Sequence, residues 1–172
     1  MLKRFLSITA FLFVATFVTA DDKPEKKTSG FDVLKSLVGT WVAVDADGKP
    51  TKDVVSVIKL TANGSAVHET LFPGQPHEMV TVYHKSGKEV LATHYCAIGN
   101  QPRYKLDAKS TDKKLILTFD GGTNFDPAKD MHMHEGTITI IDADTIEASW
   151  IGYDNGKPAE GHSPKFKLAR KK

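Results

Sequence analysis

The sequence predicts an all-β protein, an antiparallel meander closed into a barrel behind one short N-terminal helix. From Trp41 onward, short runs of β-branched and aromatic residues alternate with turn residues, and no second helical pattern of any length follows. Two dipeptides, Asn63-Gly64 and Ser86-Gly87, are typical of tight hairpin turns. Strands this short and numerous are typical of closed barrels, and a two-sheet sandwich is the alternative.

The N-terminal segment has the pattern of a secretory signal peptide. Lys3 and Arg4 precede an apolar run over residues 5–18, and small residues follow it up to Ala20. The run is shorter than the roughly 20 residues that a membrane-spanning helix prefers. We therefore expect cleavage after about Ala20 and a secreted or periplasmic protein without a stable membrane anchor. Residues 21–28 are predicted to be a flexible leader.

Residues 29–172 are predicted to form one domain, which is long enough to bury a hydrophobic core. Cleavage of residues 1–20 removes two of the 23 Lys and Arg residues and none of the 21 Asp and Glu residues, which leaves 21 of each sign. No Lys/Arg run interleaved with aromatic residues occurs, so nucleic acid is not a predicted partner. The single cysteine, Cys96, lies in an apolar strand pattern and is predicted to be structural.

The elements follow in order along the chain. Ser29 can cap a helix that ends near Gly39, with apolar positions on one face at Phe31, Leu34, Leu37 and Val38. Ten strands are predicted after it, near residues 41–46, 53–61, 65–72, 78–84, 89–97, 103–108, 114–120, 131–141, 145–153 and 164–169.

Hairpin geometry assigns some side chains to faces, because directly paired residues share a face and successive residues alternate. A two-residue turn at 63–64 pairs Ile58 with Glu69 on the more apolar face, which turns Glu69 inward and predicts a raised pKa for its carboxyl. A three-residue loop at 142–144 pairs Gly136 with Trp150 on an apolar face. Alternation then places His132 and His134 inward or at the barrel mouth, unless Gly136 makes a bulge.

Strands 78–84 and 89–97 have two faces that could both be buried. We favour as the cavity side the face that mixes small, polar and aromatic groups, which is the composition of a ligand pocket. That face contains Met79, Thr81, Tyr83, Val90, Ala92, His94 and Cys96.

The helix, the element Gly39-Thr40-Trp41 and the β-meander together resemble the lipocalin-like (calycin) barrels. In that family the Trp of a G-x-W element closes one end of the barrel, and a basic residue at the end of the last strand packs over it; Arg170 is the matching residue here. Residues 93–96 and 99–103 also resemble stretches of small secreted bacterial lipocalin-like domains of unassigned function. The resemblance implies a barrel over about residues 31–170 that binds a small apolar or amphipathic ligand in its interior.

Eight residues are the predicted ligand contacts. The acidic and imidazole groups would orient the ligand by hydrogen bonds, two aromatic rings would be walls, and an arginine near the mouth would make a forked contact. They are Glu69, Tyr83, His94, Asn100, Arg103, His132, His134 and Trp150.

Two other functions remain open at this point. His132 and His134 are about 6–7 Å apart on one strand face and can chelate zinc or another divalent ion, with Glu69 or His94 completing the site. Such a site predicts a metal-dependent hydrolase or isomerase, whereas a single imidazole could instead ligate haem iron. The other hypothesis is a packed barrel that serves as an interaction module. No motif for a serine nucleophile, a P-loop or dinucleotide binding occurs, so no catalytic residue is assigned.

Overall fold

The computed structural model describes residues 29–172, so the predicted signal peptide and leader lie outside the described residues. Within this range, no helix combines the length and the apolar character that crossing a membrane requires. The elements are α1 (Gly30–Ser36), β1 (Gly39–Val44), β2 (Pro50–Thr61), a 3-10 turn (Ala62–Gly64), β3 (Ala66–Leu71), β4 (Met79–Ser86), β5 (Glu89–Tyr95), β6 (Gln101–Leu106), β7 (Lys114–Thr123), β8 (His132–Ile140), β9 (Thr145–Asp154), β10 (Lys157–Pro158) and β11 (Lys165–Arg170).

Ten strands form a closed antiparallel barrel, which confirms the predicted fold class. Each strand from β1 to β9 pairs with the next one, and β11 closes the ring by pairing with both β9 and β1. The two-residue β10 pairs only with the end of β9. Because the first and last strands of the barrel are paired, the sandwich alternative is wrong.

The barrel has two different ends. The helix end carries α1 and the loops at 62–65, 87–88, 107–113 and 141–144. The loop end carries the connections at 45–49, 72–78, 96–100, 124–131 and 155–164.

The helix α1 covers the helix end with an apolar face. Ser29 caps it as predicted, since its hydroxyl oxygen accepts a hydrogen bond from the amide of Asp32 at 3.2 Å. Of the predicted buried positions, Val38 is wrong, because the helix ends at Ser36 and Val38 is 39% exposed. Val33 is buried in addition, so the buried face is wider than predicted.

Contacts of Trp41 and Arg170 stabilise the helix end of the barrel. The Trp41 ring is fully buried and its indole N–H donates to the carbonyl of Leu37 at 2.9 Å. The guanidinium of Arg170 lies 4.4 Å from the centre of that ring and donates to the carbonyl of Val38 at 2.6 Å. Gly39 has a φ of 149°, which L side chains rarely adopt, and a Cβ atom there would come within 2.6 Å of this guanidinium, so any other residue at position 39 would be strained. The expected packing of Arg170 over Trp41 is confirmed.

Both predicted hairpin registers are confirmed. Ile58 pairs with Glu69, and Gly136 pairs with Trp150. The favoured face of β4 and β5 also points inward, and its members are buried or line the interior. The predicted turn at Ser86-Gly87 is wrong by one position, because Ser86 pairs with Glu89 and residues 87–88 form the turn, but the resulting shift of two residues in the pairing leaves the faces unchanged.

The predicted inward orientation of His132 and His134 is wrong. The register between β8 and β9 shifts between residues 133 and 135, which is a β-bulge at His134. Gly136 keeps its partner Trp150 and points inward, so the bulge lies at position 134, two residues before the position that the sequence suggests. Because one extra residue inverts the alternation, Met133 takes the inward position and both imidazoles leave the barrel interior.

Candidate functional site: the barrel cavity

The barrel contains a cavity of about 250 Å³. It is lined mainly by apolar side chains in two groups. The cavity floor, toward the helix end, consists of Leu37, Ile58, Ile138, Ile146 and Leu168. The cavity rim, toward the loop end, consists of Leu71, Phe72, Met79, Cys96, Met133, Pro164 and Phe166.

A row of polar side chains, the polar wall, crosses the cavity at middle depth. Its members are Glu69, Thr81 and His94, which occupy directly paired positions on β3, β4 and β5. Directly paired residues share a face of the sheet, so all three point inward. Glu69 and His94 line the cavity, while Thr81 is completely buried between them. The wall gives an otherwise apolar cavity one side that can form hydrogen bonds.

Two hydroxyl groups hold the Glu69 carboxyl in place. Ser56 donates to one carboxyl oxygen at 2.7 Å and Tyr83 donates to the other at 2.8 Å. Glu69 is only 9% exposed. Burial raises the pKa of this carboxyl, as predicted, although the hydrogen bonds from Ser56 and Tyr83 act in the opposite direction. Tyr83, a predicted wall residue, instead positions Glu69 from outside the cavity lining.

The imidazole of His94 is the second polar group of the cavity. Its Nδ1 atom is 2.9 Å from the hydroxyl oxygen of Thr81, and its ring stacks on Trp150 with a centroid distance of 6.3 Å. Burial lowers the pKa of His94 to about 4, so the ring is neutral at pH 7. Within residues 29–172 no side chain or backbone group pairs with its Nε2 atom, which is not fully enclosed and is available to a ligand.

Trp150 is part of the cavity lining, as predicted. Its ring packs against Tyr104 at 5.3 Å between centroids and lies over Gly136, where an added Cβ atom would come within 2.5 Å of the ring. Tyr104, which sequence reasoning missed as a site residue, donates to the carbonyl of Met133 at 2.9 Å. No local signal in the sequence identifies it, because its pairing with Ala92 on the inner face of β5 follows only from the structure.

Asn100 and Arg103 are not in the cavity lining, contrary to prediction. Asn100 is buried, and its side-chain amide donates to the carbonyl of Met131 at 2.8 Å, which joins two loops of the loop end. Arg103 pairs with Thr93 on the outer face and is exposed. Because Tyr104 points inward, alternation along β6 directs Arg103 outward.

His132 and His134 belong to a separate group of rings, the outer aromatic cluster. His132 is completely buried; its Nδ1–H donates to the carbonyl of Asp130 at 2.8 Å, and its Nε2 atom lies 2.9 Å from Nδ1 of His134. Burial and the neighbouring His132 lower the pKa of His134. The cluster consists of Phe119, Phe125, His132, His134 and Tyr153.

The structure therefore separates the residues that a metal site was predicted to combine. The two imidazoles of the cluster are adjacent, but Glu69 and His94 line the cavity instead. Among residues 29–172, no group of three or more His, Cys, Asp or Glu side chains is placed to hold a metal ion. The cavity, at about 250 Å³, is also smaller than the roughly 300–1,000 Å³ of pockets for drug-sized ligands, which disfavours a haem macrocycle.

No protein-family model matches the chain, and a comparison with curated proteins found no similar sequence. The likeness to lipocalin-like barrels accordingly consists of the closed meander, the Gly39-Thr40-Trp41 element and the contact of Arg170 with Trp41.

Proposed function

We propose that this protein binds a small amphipathic or apolar ligand in its barrel cavity. The observation that carries the proposal is the composition of the cavity, with an apolar floor, an apolar rim and one polar wall that includes Glu69 and His94. A ligand that is mainly hydrocarbon with one polar group matches this arrangement, because each of its parts meets a surface of the same character.

The size of the cavity sets the size of the ligand. An apolar cavity of about 150 Å³ holds benzene, so simple proportion gives the present cavity room for about ten non-hydrogen atoms. Burying about 250 Å² of apolar ligand surface contributes about 6 kcal/mol before the costs of association. A contribution of about 6 kcal/mol corresponds to a dissociation constant of about 40 µM, so dissociation constants between about 40 µM and 1 mM are expected once the costs of association are included.

The cavity also favours ligand binding over the packed interaction module. Unfilled cavities cost about 24 cal/mol per Å³, so a void of this size costs on the order of 6 kcal/mol relative to a filled core. Larger side chains at Ala148 or Ile138 would fill the space, but the residues present leave the cavity open. A site that a ligand fills explains that cost, whereas an interaction surface on the outside of the barrel does not.

A matched pair of variants tests the proposal. Ala148 lines the cavity, whereas Ser149, the next residue on β9, pairs with Thr137 on the outer face. Octanol, with nine non-hydrogen atoms, is titrated into each protein by calorimetry, and native mass spectrometry looks for co-purified small molecules. The wild type and Ser149→Leu are expected to bind octanol, and Ala148→Leu is expected to lose at least tenfold in affinity. Equal affinities of all three proteins, or no binding by the wild type, would refute the proposal.

Export is part of the proposal, because residues 1–20 have the pattern of a signal peptide. N-terminal sequencing of protein from the periplasmic or extracellular fraction is expected to start near Asp21. A protein that keeps Met1 and stays in the cytoplasm would contradict this part.

A further inference from the structure

The charge of the cavity lining narrows the class of ligand, given the proposed binding function. The ionisable residues that line the cavity are Glu69, His94 and Cys96, and none of the described lining residues is a lysine or an arginine. His94 is held by Thr81 in a buried position, where its ring is uncharged at pH 7. The part of the lining formed by residues 29–172 therefore offers a carboxyl group and neutral hydrogen-bonding groups, but no positive charge.

Basic residues of the neighbouring barrel strands lie outside the cavity lining. Arg103 is exposed on the outer face of β6, and Lys165 and Lys167 are exposed on β11. Arg170 lies at the helix end, where it packs over Trp41 and donates to backbone carbonyls. A negatively charged group inside the cavity would find no partner among them.

The polar wall is suited to a hydroxyl group. Each oxygen of Glu69 accepts one hydrogen bond, from Ser56 or from Tyr83, and a carboxyl oxygen has two lone-pair sites, so both can accept another. The free Nε2 atom of His94 lies on the same wall. A ligand hydroxyl can donate to Glu69 or exchange a hydrogen bond with His94, so the polar wall offers a partner to the one polar group that such a ligand would bury.

We infer that the cavity selects an uncharged ligand with a hydrogen-bond-donating head group, such as an alcohol, and discriminates against carboxylate-headed compounds of the same length. A carboxylate would bury its charge beside the Glu69 carboxyl without a counter-ion, which carries a large desolvation cost. An ammonium head would require a buried ion pair with Glu69, whose desolvation offsets much of the attraction. An alcohol avoids both costs.

Three probes that share one chain and differ in the head group test this inference: octanol, octanoate and octylamine. Titration calorimetry at pH 7.5 is expected to give octanol at least tenfold tighter binding than octanoate, with octylamine weaker than octanol. Lowering the pH to 5 protonates part of the octanoate, which titrates near the range of a Glu side chain, about 4.3, and should strengthen its binding. Binding of octanoate that equals octanol at pH 7.5, or octylamine as the tightest probe, overturns the inference.

Glu69→Gln supplies a second readout, with Glu147→Gln at an exposed position on the outer face of β9 as its matched control. Exchanging the Glu69 carboxyl for an amide, which cannot ionise, is expected to narrow the difference in affinity between octanol and octanoate at least threefold, whereas Glu147→Gln leaves this difference unchanged. An unchanged difference in Glu69→Gln overturns the inference while the binding function stands. Failure of the wild type to bind any of the three probes contradicts the proposed function itself.

Discussion

The buried imidazole of His94 should make the stability of the barrel depend on pH. The side chain is 4% exposed, and burial lowers its pKa from 6.5 to about 4. Between these two values the unfolded chain binds a proton at this position and the folded chain does not. The free energy of unfolding therefore falls as the pH falls through this window, and the contribution of His94 is fully present only above pH 6.5.

The linkage relation gives the magnitude. With a pKa of about 4 in the folded state and 6.5 in the unfolded state, lowering the pH from 7 to 5 removes about 2 kcal/mol of stability. Glu69 acts in the opposite direction. Because burial raises the pKa of its carboxyl, the folded protein binds a proton at Glu69 at a higher pH than the unfolded chain does, and acidification through that range stabilises the folded state. The wild type alone reports the sum of the two effects, so a variant is needed to isolate His94.

Urea unfolding of the wild type and of His94→Gln at pH 7 and pH 5 separates the effects, since Glu69 is common to both proteins. The amide of the variant can still bond Thr81 but does not titrate. The loss of stability on acidification is expected to be about 2 kcal/mol smaller in His94→Gln than in the wild type. His84→Gln, at an exposed position of β4, is the control and should follow the wild type. Equal pH dependence of the wild type and His94→Gln would refute the reasoning.

Two further substitutions test the packing of the barrel. Arg170→Lys removes the forked contacts to backbone carbonyls and the guanidinium over the indole ring, and is expected to lower the free energy of unfolding in urea by about 1–3 kcal/mol. Lys167→Ala, at an exposed position of the same strand, is the control and should change this free energy little. Equal effects of the two substitutions would contradict the role of Arg170. Gly136→Ala forces Trp150 out of its position, so it is expected to lower the free energy of unfolding by about 1–3 kcal/mol and to shift the tryptophan emission maximum. Thr137→Ala, on the outer face of the same strand, should do neither. An unshifted emission spectrum in Gly136→Ala would contradict the contact between Gly136 and Trp150.

Local signals in the sequence were sufficient for much of the fold. The turn at Asn63-Gly64 determines which residues of β2 and β3 face each other, so the inward position of Glu69 follows from the turn and from alternation. Its raised pKa follows in turn from burial. The same reasoning predicts His94 on the inner face of β5, and this holds although the turn lies at residues 87–88 and not at Ser86-Gly87, because a pairing shift of two residues leaves each side chain on its predicted face.

The faces of His132 and His134 could not be predicted in this way. A bulge shifts the alternation by one residue, and its position depends on the packing of neighbouring strands. Gly136 was the position where the sequence itself suggested a bulge, but it remains paired, because the ring of Trp150 occupies the space above it. The predicted metal site is wrong because the bulge directs both imidazoles away from the cavity that Glu69 lines.

By itself, the sequence determined the short capped helix, the ten strands and the registers of the β2–β3 and β8–β9 hairpins, because turn residues and alternation act between neighbours in the chain. Only the tertiary structure decided that β11 pairs with β1 to close the barrel, that the bulge lies at His134, and that none of the described residues lining the cavity is a lysine or an arginine. These features depend on contacts between residues that are far apart in the chain, and the free energies of such contacts cannot be inferred from the pattern of neighbouring residues.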